Sequence, residues 1–153
     1  MAMLTELRAM DLAQRDRDIA SLLAYKKGLG EAPTIYRAAV GEPKTDIAGV
    51  MLFVASEETE DRFGDVLSAD GWQLEAFKKN PVFLFGHNHS LAPIGKVPKV
   101  WVEGKQLLST VVWDEEDPFA MAVKGKYQRG FMRAVSVGFR ALEYAINEER
   151  RGI

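Results

Sequence analysis

The chain has 153 residues, enough for one domain with its own core. Hydrophobic residues make up 47% and charged residues 27%, and the net charge of −2 gives no global electrostatic case for binding nucleic acid. There is no cysteine, which excludes disulfides, thiolate metal ligands and a cysteine nucleophile and fits a reducing compartment.

No apolar run approaches the roughly 18–20 residues of a membrane span. The opening stretch, "MAMLTELRAMDLAQRDRD", carries charges throughout and is no signal peptide. The expectation is a cytosolic protein. Residues 4–27 read as a helix, with Leu4, Leu7, Ile19, Leu22 and Leu23 at three- and four-residue steps. The polar "AQRDRD" interrupts that stripe, so the segment is two short helices or one that packs poorly. "GLGEAP" (Gly28–Pro33) ends it. On this reading residues 1–45 are a loosely attached N-terminal helical segment, and 46–153 are the main domain.

Beyond this point the character changes. "IAGVMLFVAS" (Ile47–Ser56) is a buried-strand pattern, followed by the charged loop "EETEDRFGD". "GWQLEAFKKN" (Gly71–Asn80) suits a short helix that offers Trp72, Leu74 and Phe77 to the core, and Pro81 ends it. "VFLFGH" (Val82–His87) reads as a short strand. Two further strands, "IGKVPKVWVEG" and "KQLLSTVVWD", meet at Glu103-Gly104-Lys105, a hairpin signal. Asp117 as N-cap and Pro118 in the first turn open a helix that stops at Gly130. Phe131–Ile146 reads as a long strand. Strand-rich order with a few helices predicts an α+β fold: a small, barrel-like, mainly antiparallel sheet with helices around it.

The only two histidines lie in "FLFGHNHS". On an extended segment His87 and His89 face the same way and could share a metal ion. With no cysteine, further ligands would have to be Asp61, Asp65, Asp114 or Asp117, and none has a recognisable ligand spacing. The plainer reading is a polar turn, which Gly86 and Asn88 favour. The third reading pairs a histidine with a nucleophile. In "AVSVGF" (Ala134–Phe139), Ser136 shares a strand face with the small residues Ala134 and Gly138, leaving room for another group. A hydroxyl needs a base to act at neutral pH, and only His87 and His89 are available. Ser56, Ser68, Ser90 and Ser109 are rival nucleophiles. Asp61, Arg62 and Asp65 are expected to fix their loop by arginine–carboxylate pairing. Trp72, Trp101 and Trp113 are expected in the core or partly buried, Gly95 and Gly138 at close packing or a bulge, and the Lys78-Lys79 and Arg150-Arg151 pairs in solvent.

Four segments in order resemble the prohead maturation proteases of tailed bacteriophages, a family related to the herpesvirus assemblins. They are "DRFGDVLSADGW", "FKKNPVFLFGHNHSLAPIGKV", "QLLSTVVWDEEDPFAMAV" and "RAVSVGF", and they span roughly two-thirds of the chain. The resemblance implies an assemblin-like fold and a serine endopeptidase with Ser136 as nucleophile and His87 as base. It keeps His89 in play as a third member, since assemblins use a Ser-His-His site. Oxyanion donors would come from Val137, Gly138, Arg133 or Arg140. No cofactor or metal is implied. The implied substrate is scaffold or capsid protein, and the chain itself, inside the immature prohead in the host cytoplasm. Self-association is a further expectation; a nucleic-acid or membrane partner is not. Relatives usually continue past the point where "NEERRGI" ends this chain. If that extension orients the histidine, Glu143, Glu148 or His89 would have to substitute. The competing readings are a non-catalytic capsid-assembly module of the same fold and a metal-dependent hydrolase using His87 and His89.

Overall fold

The computed structural model describes residues 2–41, 43–47, 50–147, 149 and 152–153, without the side chains of 2–9, 40 and 45–47. Glu148, Arg150 and Arg151 lie outside the described residues, as do the side chains of Leu4 and Leu7. Internal contacts divide the chain into two units. One comprises Met1–Arg37, Glu58–Leu67 and Val137–Ile153; the other comprises Ala38–Glu57 and Ser68–Ser136.

The second unit is built on a five-stranded antiparallel sheet. Its strands are β2 (Lys44–Ile47), β3 (Val50–Glu57), β4 (Val82–Phe83), β5 (Gly95–Glu103) and β6 (Gln106–Trp113), in the order β2-β3-β6-β5-β4. The short helices Ala69–Gly71 and α2 (Glu75–Lys78) precede β4, and α3 (Pro118–Gln128) follows β6. Sheet and helices together make the fold α+β, as the element order predicts. The β5–β6 hairpin closes at Gly104, whose φ of 57° a residue without a side chain adopts freely. Asp117 caps α3 as expected, its side chain accepting a hydrogen bond from the Phe119 N–H at 2.9 Å.

One face of this sheet is apolar because its residues alternate. Met51 and Phe53 of β3, Val97 of β5, and Val111 and Trp113 of β6 are buried together with Ile94. Ala120, Val123 and Tyr127 of α3, at three- and four-residue steps, close over them. The Phe53 ring meets Tyr127 edge-on at 5.1 Å, and the Trp113 indole N–H donates to the Met51 sulfur at 3.0 Å. Each fully buried large side chain contributes about 1.5–3 kcal/mol to folding. Phe77, by contrast, is exposed, while Trp72 and Leu74 are half-buried. Only one turn of helix forms there, too short to present a continuous apolar stripe.

Two readings change at the strands. Val82–His87 is a strand only through Phe83, because Gly86 and His87 both take positive φ and end the extended run. The long strand expected over Phe131–Ile146 is β7, Ala134–Phe139 alone. Its start is delayed by the turn that ends α3, where Gly130 has φ 77° and the N–H groups of Phe131 and Met132 both return to the Lys126 carbonyl. A strand the sequence pattern did not reveal, β1 (Ile35–Val40), pairs with β7 in a separate two-stranded sheet.

In the first unit, α1 (Ala2–Lys26) is one continuous helix, with Leu22 fully buried. No described helix is long and apolar enough to cross a membrane. The "DRFGD" loop is indeed held by arginine–carboxylate pairing, but the arginine is Arg37 of β1. Its guanidinium, 3% exposed, lies 2.5 Å from Asp65, 2.8 Å from Asp18 of α1 and 3.5 Å from Asp61. It stacks over Phe63 at 4.3 Å. Arg62 instead reaches Asp11 at 3.3 Å. Asp61 also accepts the N–H groups of Phe63 and Asp65, which closes the loop on itself. Burial pushes the Asp61 carboxyl above the ordinary carboxylate range; the two N–H bonds oppose that rise, Asp65 adds to it and Arg37 opposes it.

Removing Arg37 strands three carboxylates around an apolar cavity. Arg37→Met should therefore lower unfolding free energy by about 3–5 kcal/mol, read from urea melts. Gly95 is packed between β4 and β6, and a Cβ there would lie 2.7 Å from the Val112 carbonyl oxygen. Gly95→Ala should cost about 1–3 kcal/mol in the same measurement.

Candidate active site

His87 is delivered by β4. Phe83 is the anchor: its ring stacks 5.9 Å from Phe53 and meets Trp113 edge-on at 5.4 Å. The backbone of β4 pairs with Gly95 and Lys96, and the Ile94 N–H donates to the Phe83 carbonyl at 3.0 Å. Beyond that fixed point a single turn, Phe85–His87, carries the imidazole. Gly86 has φ 60°, and His87 at φ 52° is the one non-glycine residue with positive φ among the described residues. Such a conformation costs on the order of 1–3 kcal/mol and persists only where its surroundings impose it. Asn88 stabilises the far side, its side chain accepting from the Ser90 N–H at 2.9 Å. The polar-turn reading and the catalytic reading thus describe the same residues.

Ser136 is delivered by α3 and its C-terminal turn. The Tyr127 hydroxyl donates to the Ala134 carbonyl at 2.8 Å, and the Gly41 N–H donates to the Arg133 carbonyl at 2.9 Å. Val135 of β7 packs against the core, so alternation turns Ser136 the opposite way. There its Oγ sits in hydrogen-bond contact with His87 Nε2. With the imidazole proton on Nδ1, the hydroxyl donates to Nε2, the arrangement a general base requires.

Burial lowers the His87 pKa below the ordinary histidine value of 6.5, and the charge of His89 lowers it further. The imidazole therefore stays neutral, and able to accept a proton, to a lower pH than a free histidine. The folded chain binds this proton more weakly than the unfolded chain. Stability from this group accordingly rises with pH from the lowered value up to about 6.5 and is constant above it.

The other sequence candidates are more dispersed. His89 is exposed, two residues past the left-handed turn. Because His87 is not on an extended segment, the two histidines lose the shared strand face that a common metal site would use. Among the described residues, no three of His, Asp or Glu are grouped to hold a metal ion. Ser109 is buried in the middle of β6, between Phe53 and Val100, and Ser56 is buried at the end of β3. Of the oxyanion candidates, Val137 is half-buried, while Gly138, Arg133 and Arg140 are exposed. The Arg133 Nε donates to the Gly130 carbonyl at 3.3 Å. Gly138 lies against the Tyr36 ring, where a Cβ would come within 2.6 Å of Cε1, the close packing expected of it. Glu143 is exposed beyond β7.

Comparison with known proteins gives a partial match. The chain is similar to a prohead protease. That relative, from Escherichia phage T5, is 33% identical over 94 residues, which is 58% of this chain and 43% of the relative. The match thus spans less than half of the relative's own length. No family model matches the chain, and no solved structure matches it.

Replacing His89 by Asn removes one of the two influences that depress His87. The His87 titration, followed by imidazole proton NMR, should move upward in pH and remain at or below about 6.5. A downward movement would contradict the electrostatic account.

Proposed function

We propose that this chain is a serine endopeptidase of phage prohead maturation, cutting scaffold or capsid-protein segments, and itself, inside the immature shell in the host cell. The observation that carries the reading is the contact between the Ser136 hydroxyl and the His87 imidazole. The similarity to the phage T5 prohead protease supports the same role. On this reading the sheet and its helices belong to a barrel-like, assemblin-like fold, residues 1–45 are a removable or tethering segment, and residues 46–153 are the protease domain.

The chemistry follows from the pair. His87 Nε2 takes the hydroxyl proton as Ser136 Oγ attacks the scissile carbonyl carbon. The C=O bond becomes single, and the oxyanion is met by N–H groups at Val137 or Gly138, or by the guanidinium of Arg133 or Arg140. One such donor is worth about 2.7–4 kcal/mol of barrier. The imidazolium returns its proton to the leaving amine, and the C–N bond breaks to leave an acyl ester on Ser136. Water then repeats the sequence, with His87 again as base, and frees the carboxylate. His89, as the third member, acts by orienting or charging the imidazole. No cofactor enters these steps. The natural partner is another protein, and self-association would bring one copy's segments to another's site.

Ser136→Ala should abolish proteolysis, a loss on the order of 10⁶-fold in kcat, while the circular dichroism spectrum and urea midpoint stay near wild type. Peptide cleavage assayed on the same samples decides the matter. Persistent cleavage by the alanine variant would end the serine reading, and loss of wild-type cleavage on adding EDTA would favour the metal-dependent hydrolase.

A further inference from the structure

Phe85 and Phe119 are unusual for where they lie. Phe85 belongs to the same single turn as His87, and Phe119 is in the first turn of α3. Their rings meet edge to face, with centroids 5.2 Å apart. Yet Phe85 is 43% exposed and Phe119 48% exposed. An aromatic pair that stays half in solvent leaves apolar surface whose burial is favourable. The backbone beneath both rings is anchored. Phe85 follows Leu84 out of the anchored β4, and the Phe119 N–H is fixed by the Asp117 cap. The pair is therefore an exposed apolar shelf that is already assembled before anything binds to it.

We propose that Phe85 and Phe119 form the wall of a substrate subsite that takes an apolar side chain of the polypeptide close to the scissile bond. The inference rests on the serine endopeptidase reading. Continuity with the catalytic pair selects the occupant. Phe85 is two residues from His87 in the same turn, so the element that carries the shelf also carries the imidazole that Ser136 touches. Charge narrows it further. The turn leading into Phe119 is Asp114-Glu115-Glu116-Asp117, with the first three exposed, and it disfavours an acidic side chain at that place. The shelf thus sorts substrates by apolar contact, and the turn excludes carboxylates.

Two fluorophosphonates that acylate active serines serve as probes, one with an ethyl chain and one with a long alkyl chain. The readout is the ratio of their second-order labelling rates at Ser136, located by mass spectrometry. Phe119→Ala should lower the long-chain to ethyl ratio about tenfold, the loss expected when roughly 1.4 kcal/mol of apolar contact disappears. Phe119→Leu should retain most of the ratio. Phe131→Ala, at an exposed position after α3, should leave it at the wild-type value. An unchanged ratio in Phe119→Ala, with Ser136 still labelled, overturns the subsite. So does a wild-type dimer in sedimentation that Phe119→Ala dissociates without moving the ratio, because the pair would then be a contact between copies. If neither probe labels Ser136, the endopeptidase reading fails and the subsite falls with it, a result distinct from the other two.

Discussion

Tyr127 holds the second unit together at the point where helix, sheet and final strand meet. Its ring packs edge-on against Phe53 and within 5.9 Å of Trp113, so it belongs to the same aromatic group that grips Phe83. Its hydroxyl leaves that group and holds the Ala134 carbonyl. Burial raises its pKa above 10, so the hydroxyl keeps its proton and remains a donor throughout the physiological range. One side chain thus links the strand that carries the imidazole to the strand that carries the alcohol. The apolar face of β3, β5 and β6 supplies the energy for this arrangement, and the tyrosine supplies the register.

Much of this frame was legible in the sequence. The apolar run at Ile47–Ser56, the hairpin signal at Glu103-Gly104-Lys105, and the Asp117–Pro118 helix start are local signals, set by backbone geometry and a few side chains. The strand face that Ser136 shares with Ala134 and Gly138 was also a local signal. What failed to show was long-range. Strand β1 is disguised because its inward residues are Ile35 and Arg37, and a buried arginine breaks the apolar alternation by which strands are recognised. Only the carboxylates of Asp18, Asp61 and Asp65 explain why it is buried, and they are distant in sequence. The early end of β4 is similar. Gly86 invites a turn, but nothing in the sequence says that His87 will share its left-handed conformation.

The site itself was legible as three readings, and the structure puts His87 and Ser136 in contact. Composition left the histidines open to metal binding, to a turn or to base catalysis. The turn at Gly86–His87 removes the shared strand face that a common metal site would use, and it points one imidazole at Ser136. The aromatic shelf was invisible at the level of sequence. Phe85 and Phe119 read there as ordinary apolar residues of a strand and a helix. Exposure separates them from Phe53 and Phe83, which make edge-to-face contacts of their own.

The order in which the elements occur along the chain has a temporal meaning. Synthesis proceeds from the N-terminus, so β3, β4 and the β5–β6 hairpin are made before Ser136. The imidazole is mounted early and waits for its alcohol. The contact between His87 and Ser136 can therefore form only after α3 and the turn at Gly130 have been made.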